Sequence, residues 1–311
     1  MNVSRIVCAL DFSELSPKVE AYATALAQRY EAGLTLLHVD PPIPLMAPYG
    51  ELPMDIGLFD DQRQRALADL AAAQHRGRAA GVPVDTALRG GQPSREILAL
   101  AQDQSADLIV MGTHGHGGFE HLLLGSVAEK VLRKAPCAVM VVPPGDTAAA
   151  HGTFSHILCP IDGSASSADA IAFAVGLARE SDGSLTLLRV VEPIPQGGEF
   201  ATFDAGQYRA LAEAEAAKAL REAVPAGLRD WCHVHEQVAH GKASTGSLAT
   251  AGDMHADVIV MGVRGRSAID LLAFGSTANE VVRRATCPVV AVHPKATVDG
   301  QAAPAPAAVL T

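Results

Sequence analysis

The chain has 311 residues, with 24 Lys and Arg against 34 Asp and Glu, for a formal charge of −10. That length suits two domains of roughly 150 residues, each large enough to bury its own core. The acidic balance excludes a general nucleic-acid binder, which presents a basic face, while leaving room for a small anion held by a local field.

No apolar run reaches about 18 residues, so no membrane span is expected. The opening MNVSRIVCALD enters a strand directly and lacks signal-peptide anatomy, which makes the cytoplasm the expected location. The first strand is predicted at 4–10, ending at Asp11. A helix is expected to begin near Ser16-Pro17, with serine as cap and proline in the first turn, and to stop at Gly33. A second strand follows at 34–39, then a Pro-rich loop at 40–58, a long helix at 60–80 and a short strand at 83–88. The remaining elements are a helix at 93–104, a strand at 107–111, a glycine loop, a helix at 126–134 and a strand at 137–142. The run ADLIVMG at 106–112 is β-branched and does not alternate, as in a parallel strand buried on both faces. Strands alternating with helices build a doubly wound, Rossmann-like α/β sheet, with ligands beyond the carboxyl ends of its strands.

Nearly the whole order returns about 150 residues later. RIVCALDFSELS aligns with HILCPIDGSASS, GLTLLHVDPPIP with GSLTLLRVVEPIP, GGQPSREILALA with HGKASTGSLATA, and APCAVMVV with ATCPVVAV. Such a period means duplicated domains rather than solenoid units. We therefore expect a first domain at 1–145, a turn-rich linker at 146–153, a second domain at 154–294 and a disordered Ala/Pro-rich tail at 295–311. Five cysteines show no CxxC pair or zinc-like spacing, and Cys8 and Cys159 fall inside apolar strands as small core side chains.

The loop GTHGHGGFEHLLLGS at 112–126 recurs as GVRGRSAIDLLAFGS at 262–276, both fitting G-x2-G-x9-G-S. Glycine after a strand lets the backbone turn sharply and approach a ligand, and the helix opened by the GS pair offers unbonded N–H groups and a positive dipole end. Asp11, Val39 and Gly112 should meet in one crevice, and Asp162, Val190 and Gly262 in another. A carboxylate there can accept hydrogen bonds from ribose hydroxyls or an adenine amine, although an aspartate so placed also serves as a turn or helix cap. Neither loop matches GxxxxGK[ST], so phosphate binding would rest on backbone amides, the Ser126 or Ser276 hydroxyl and a divalent cation.

With its twin loops, its VCALDFS and LCPIDGS openings and its APCAVMVV-type endings, the chain resembles the tandem form of the universal stress protein family over residues 4–293. The resemblance implies two HUP-type domains and ATP with Mg2+ or Mn2+ in each crevice, with Asp11 and Asp162 as further metal contacts. It implies Asp11 near ribose and adenine, Val39 at the base, backbone contacts at Ala9, and Met111, Gly112, His114, Gly115, Gly125, Ser126 and Val127 along the phosphates and adjacent wall. In the second half the matches are Pro160, Asp162, Val190, Met261, Gly262, Arg264, Gly265, Gly275, Ser276 and Thr277. It further implies pairing of 137–142 with 287–292 inside the chain or with a second copy, hence a homodimer as an alternative. His114, His116 and His121 in the first loop against Arg264 and Arg266 in the second predict tighter ATP binding by the second half at neutral pH, because arginine stays cationic.

The expected function is an ATP-binding stress regulator or sensor with slow or absent hydrolysis and an unidentified regulatory partner. The alternatives are a genuine ATPase or nucleotidyl transferase, for which no HIGH-like or SGGxDS-like signature is found, and a nucleotide-independent interaction module.

Overall fold

A computed structural model describes residues 3–41, 56–114, 124–145, 154–193, 205–224, 233–263 and 274–293. In chain order the first half contains β1 (Arg5–Ala9), α1 (Ser16–Arg29), β2 (Gly33–Asp40), α2 (Ile56–Ala79), β3 (Val84–Gly90), α3 (Pro93–Asp103), β4 (Leu108–Gly112), α4 (Ser126–Lys134) and β5 (Ala138–Val142). The second half repeats them as β6 (His156–Pro160), α5 (Ala165–Ser181), β7 (Ser184–Val191), α6 (Ala205–Ala223), β8 (Val234–His240), α7 (Ala243–Asp253), β9 (Val258–Gly262), α8 (Ser276–Arg284) and β10 (Val289–Val292). The expected linker and tail, 146–153 and 295–311, lie outside the described residues.

All ten strands form one sheet in the order β3-β2-β1-β4-β5-β10-β9-β6-β7-β8. Within each half every pairing is parallel; the junction is antiparallel, with Val289 opposite Val141, Val290 opposite Met140 and Ala291 opposite Val139. The expected pairing of the last strands therefore occurs inside the chain, and the two halves share one mixed sheet. The order reverses between β1 and β4, and again between β6 and β9. The crevice at each reversal opens beyond the carboxyl ends of the strands.

Alternation along the strands feeds two cores. Ile6, Cys8, Leu36, Leu108 and Val110 pack with Val19 and Leu26 of α1 and Leu70 of α2. Their sequence neighbours Val7, Leu37, Ile109 and Met111 face the opposite way, against Ile97 of α3 and Val131 of α4. Both cores run through into the second half, one to Phe173 and Leu220, the other to Ala251 and Val281. On the first face Tyr22 of α1 stacks on Phe154, ahead of β6, with ring centroids 6.2 Å apart, and both rings are fully buried. The Arg29 guanidinium also donates to the Glu180 carbonyl.

At the amino ends of the strands, Asp107 Oδ2 accepts from the Ser4 and Arg5 amides at 2.8 and 3.0 Å, and Asp257 Oδ2 accepts from the His156 amide at 2.8 Å. These two aspartates of the ADLIVMG and ADVIVMG runs are thus latches far from the crevices. The repeat extends to unusual dihedrals. Glu31 and Asp182 take φ of 51° and 50°, and Ser105 and His255 take 49° and 50°.

Two helix boundaries depart from the sequence expectation. Ser16 is the first residue inside α1, whose cap is Leu15; its hydroxyl is turned to Asp11 and so caps no amide. The left-handed turn after α1 is made by Glu31, and Gly33 instead opens β2, paired with Arg5.

Candidate functional site

The first-half crevice is a cavity of about 370 Å³, within the range of small-molecule sites. Nine of the ten first-half residues singled out from the sequence line it: Ala9, Asp11, Val39, Met111, Gly112, His114, Gly125, Ser126 and Val127. Gly115, the tenth, lies outside the described residues, as do His116 and His121. Part of the lining is aliphatic and includes Ala9, Leu37, Val39, Ile97 and Met111. The lining also includes residues from the first turns of α1, α3 and α4 (Ser16, Pro93 and Ser126). The positive dipole ends of these helices reach the hollow, but α1 brings it no unbonded amide, since Pro17 has none and the Ser16 and Lys18 amides donate to the Ser13 and Leu15 carbonyls. The helix α4, opened by Ser126, has no proline in its first turn. Neither α1 nor α4 receives a side-chain cap.

The loop ends are held by backbone contacts. The Gly125 amide donates to the Thr113 carbonyl at 2.8 Å, closing the loop that leaves at Thr113, and the Thr113 amide donates to the Val142 carbonyl at 3.0 Å. A Cβ on Gly125 would meet that Thr113 oxygen at 3.0 Å, so the closure needs glycine. Asp11 Oδ1 accepts from the Ser13 amide at 3.0 Å, from Ser13 Oγ at 2.7 Å and from Ser16 Oγ at 2.9 Å. Asp11 therefore shapes the turn between β1 and α1 while lining the hollow. Phe12 beside it adopts φ 59°, held by stacking on His38 with centroids 4.7 Å apart, where the second half has Gly163 at φ 80°.

Ser13, Ser16, Pro93, Ile97, Thr113 and Leu124 also line the cavity and were not anticipated. Ser13 and Ser16 had a signal in the D-x-S-x-x-S run that follows β1. Pro93 and Ile97 had none, because the repeat places Ala243 and Ser247 there.

The second crevice keeps the same frame with a closer fit. Asp162 Oδ1 accepts from the Ser164 amide at 2.9 Å and from Ser167 Oγ at 2.6 Å, while Ser164 caps α5 by accepting from the Ser167 amide. Gly275 donates to the Val263 carbonyl at 2.8 Å, as Gly125 does to Thr113. A Cβ on Gly262, at the end of β9, would lie 2.8 Å from the backbone carbon and oxygen of Ser166. On Gly112 it would lie 2.8 Å from the tip of the Leu15 side chain. Val190 is likewise approached by α7, for a Cβ on Gly246 would meet its methyl groups at 3.0 and 3.1 Å. Pro160, Met261, Ser276 and Thr277 hold the positions of Ala9, Met111, Ser126 and Val127; Arg264 and Gly265 lie outside the described residues.

None of the four described thiols lines the first-half cavity. Burial pushes Cys8 up, and Cys137, Cys159 and Cys287 up to about 12, so each is a protonated thiol at neutral pH. Among the described residues no group of three or more His, Cys, Asp or Glu side chains is arranged to hold a metal ion.

Residues 2–143 and 153–293 each match the model of the universal stress protein family. The chain belongs to the universal stress protein family. A universal stress protein of Mycolicibacterium smegmatis is 29% identical over 298 residues, spanning 93% of this chain and 97% of that one. A universal stress protein of Thermus aquaticus is 37% identical over 140 residues, 44% of this chain and 96% of that one. The crystal structure of a universal stress protein from Archaeoglobus fulgidus superimposes with a TM-score of 0.67 at 22% identity, covering 94% of this chain and all of that one, which establishes the shared fold. This universal stress protein thus carries two family repeats joined through β5 and β10. Among its described residues no helix is long and apolar enough to cross a membrane.

Proposed function

We propose that this universal stress protein binds ATP in the first-half cavity and acts as a cytoplasmic stress-response regulator, with hydrolysis slow or absent. The observation that carries this reading is the 370 Å³ hollow at the β1/β4 reversal, lined both by aliphatic side chains suited to a base and by the first turn of α4, suited to phosphates. The residues fit the nucleotide. Val39, Ile97 and Met111 would hold adenine, Asp11 the ribose, and the first turn of α4 behind Gly125 and Ser126 the phosphates. Mg2+ or Mn2+ would arrive with the phosphates and neutralise their charge.

The second crevice is proposed as the weaker site. Charge in the loops favours it, through Arg264 and Arg266, but Ser166 backbone against Gly262 and α7 against Val190 leave less width for a ribose and base. Steric closure by backbone outweighs a surface charge advantage, because backbone cannot turn aside as a side chain does. Nucleotide occupancy of one half would then be read by a partner through the shared sheet.

The protein purified without added nucleotide, then denatured, tests this reading by what it releases. ATP released at about one equivalent per chain supports a slow-turnover binder; ADP alone points to hydrolysis; neither nucleotide, together with no ATP binding in titration, overturns it.

A further inference from the structure

A second cavity, of about 240 Å³, lies across the seam between the halves. One wall is Thr113, His114 and Leu124, which also line the first-half hollow; the opposite wall is the end of α8, with Arg283, Arg284 and Thr286. The described residues lining it include no carboxylate, in a chain whose formal charge is −10. Arg284 is partly spoken for by Glu280 at 3.2 Å. Arg283 forms no ion pair among the described residues, and its Nε–H is buried without an acceptor.

Arg283 as a residue is half-buried, and a single buried N–H left without an acceptor is still costly. A favourable interaction with the carboxyl end of α8 does not account for it. Arg133, at the same place in the last turn of α4, is exposed. The repeat thus supplies an internal control: the same residue type at the same helix position is exposed in one copy and half-buried beside a cavity in the other.

We propose that this seam cavity is an anion site, in which Arg283 of the second half donates to a phosphate oxygen beside Thr113 and His114 of the first. The ligand chemistry is a phosphate or pyrophosphate group, either free or as the terminal phosphates of a nucleotide lying in the adjoining hollow. Guanidinium suits such oxyanions, because its Nε–H and Nη–H donors form a planar fork. The site goes beyond the nucleotide reading and does not require it. Where the anion belongs to a bound nucleotide, the second half senses occupancy of the first through one side chain.

Pyrophosphate titrated into the full chain by calorimetry tests this, with R283Q and R133Q alongside. The expected result is saturable binding that weakens at least about tenfold in R283Q and is unchanged in R133Q, the scale of one lost charge-assisted hydrogen bond. Arg283→Lys keeps the charge without the Nε–H donor and is expected to recover only part of the binding. Pyrophosphate binding abolished by saturating ATP, with ATP itself weakened in R283Q, assigns the site to the nucleotide's own phosphates; binding that persists on the ATP-loaded chain assigns it to a free anion. No pyrophosphate binding by the wild type, equal affinity in R283Q or R283K and the wild type, or an equal loss in R133Q overturns the proposal. Adenosine binding, measured separately, reports on the first-half hollow alone.

Discussion

At the end of β4, Gly112 lies beneath the tip of the Leu15 side chain, whereas at the end of β9, Gly262 lies beneath the backbone of Ser166. The repeat aligns Leu15 with Ser166, so one difference in side-chain bulk decides how near the first helix of each half comes to the sheet edge. A leucine stands its helix off and leaves a hollow; a serine lets the helix descend until main chain meets main chain. Glu96 against Gly246 repeats the lesson on the other face. Glu96 stays out near Arg89 at 3.6 Å, while glycine lets α7 close on Val190. The glycine motif is the same in both copies, and how closely its first glycine is approached is set by residues outside it.

The comparison breaks most sharply at Gly183, which aligns with Ala32. A Cβ on Gly183 would collide with the Phe154 carbonyl oxygen, whereas Ala32 is already accommodated and fully buried. Gly183→Ala is expected to cost about 3 kcal/mol in denaturant unfolding, and Ala32→Gly only about 1 kcal/mol. Next in size is the pair that defines the crevices. Gly262→Ala should cost about 2 kcal/mol, because Ser166 backbone must shift, and Gly112→Ala about 1 kcal/mol, because the Leu15 tip can rotate and only the His114 carbonyl, 3.2 Å from the added Cβ, must give slightly. Equal losses would mean that α5 is no closer to its sheet than α1.

The two aspartates sharpen the comparison on function. Asp11→Ala and Asp162→Ala each remove a turn-capping acceptor and should each lower stability by about 1 kcal/mol. ATP affinity is expected to fall about tenfold in the first variant and to stay unchanged in the second. Equal falls would return the second crevice to equal standing.

The smallest effect separates the halves by pH. Glu280 replaces Lys130 of the first half, and hydrogen bonds from Lys242, then Ser244, hold its carboxyl below the usual carboxylate range. Because the folded value is depressed, its contribution is complete above about pH 4.5, the ordinary glutamate value, and is lost as pH falls through the lower folded value. Glu280→Gln should lower the melting temperature slightly at pH 7, by an amount that shrinks as the pH is taken well below 4.5.

Much of this was legible from residues alone. The run from Ser126 to Lys134 was placed correctly because a glycine stop, a serine start and an apolar stripe agree there, and the buried strands were betrayed by their β-branched runs. Ser16 misled because its hydroxyl had two suitors, the helix amides and the Asp11 carboxylate, and the carboxylate is the stronger acceptor. Gly33 misled because Glu31 took the left-handed turn that glycine usually takes. Nine lining residues of the first hollow follow from the motif and the family resemblance, but Pro93 and Ile97 arrive from α3 by tertiary packing, with no local signature. The different contacts above Gly112 and Gly262 are also tertiary: they are written in Leu15 and Ser166, which look like ordinary helix-start residues in one dimension.

Calorimetric titration of the full chain with MgATP tests the account most directly. One equivalent per chain, lost in Asp11→Ala and retained in Asp162→Ala, is the predicted result. Two equivalents of equal affinity, or one that disappears with Asp162 rather than Asp11, would contradict it.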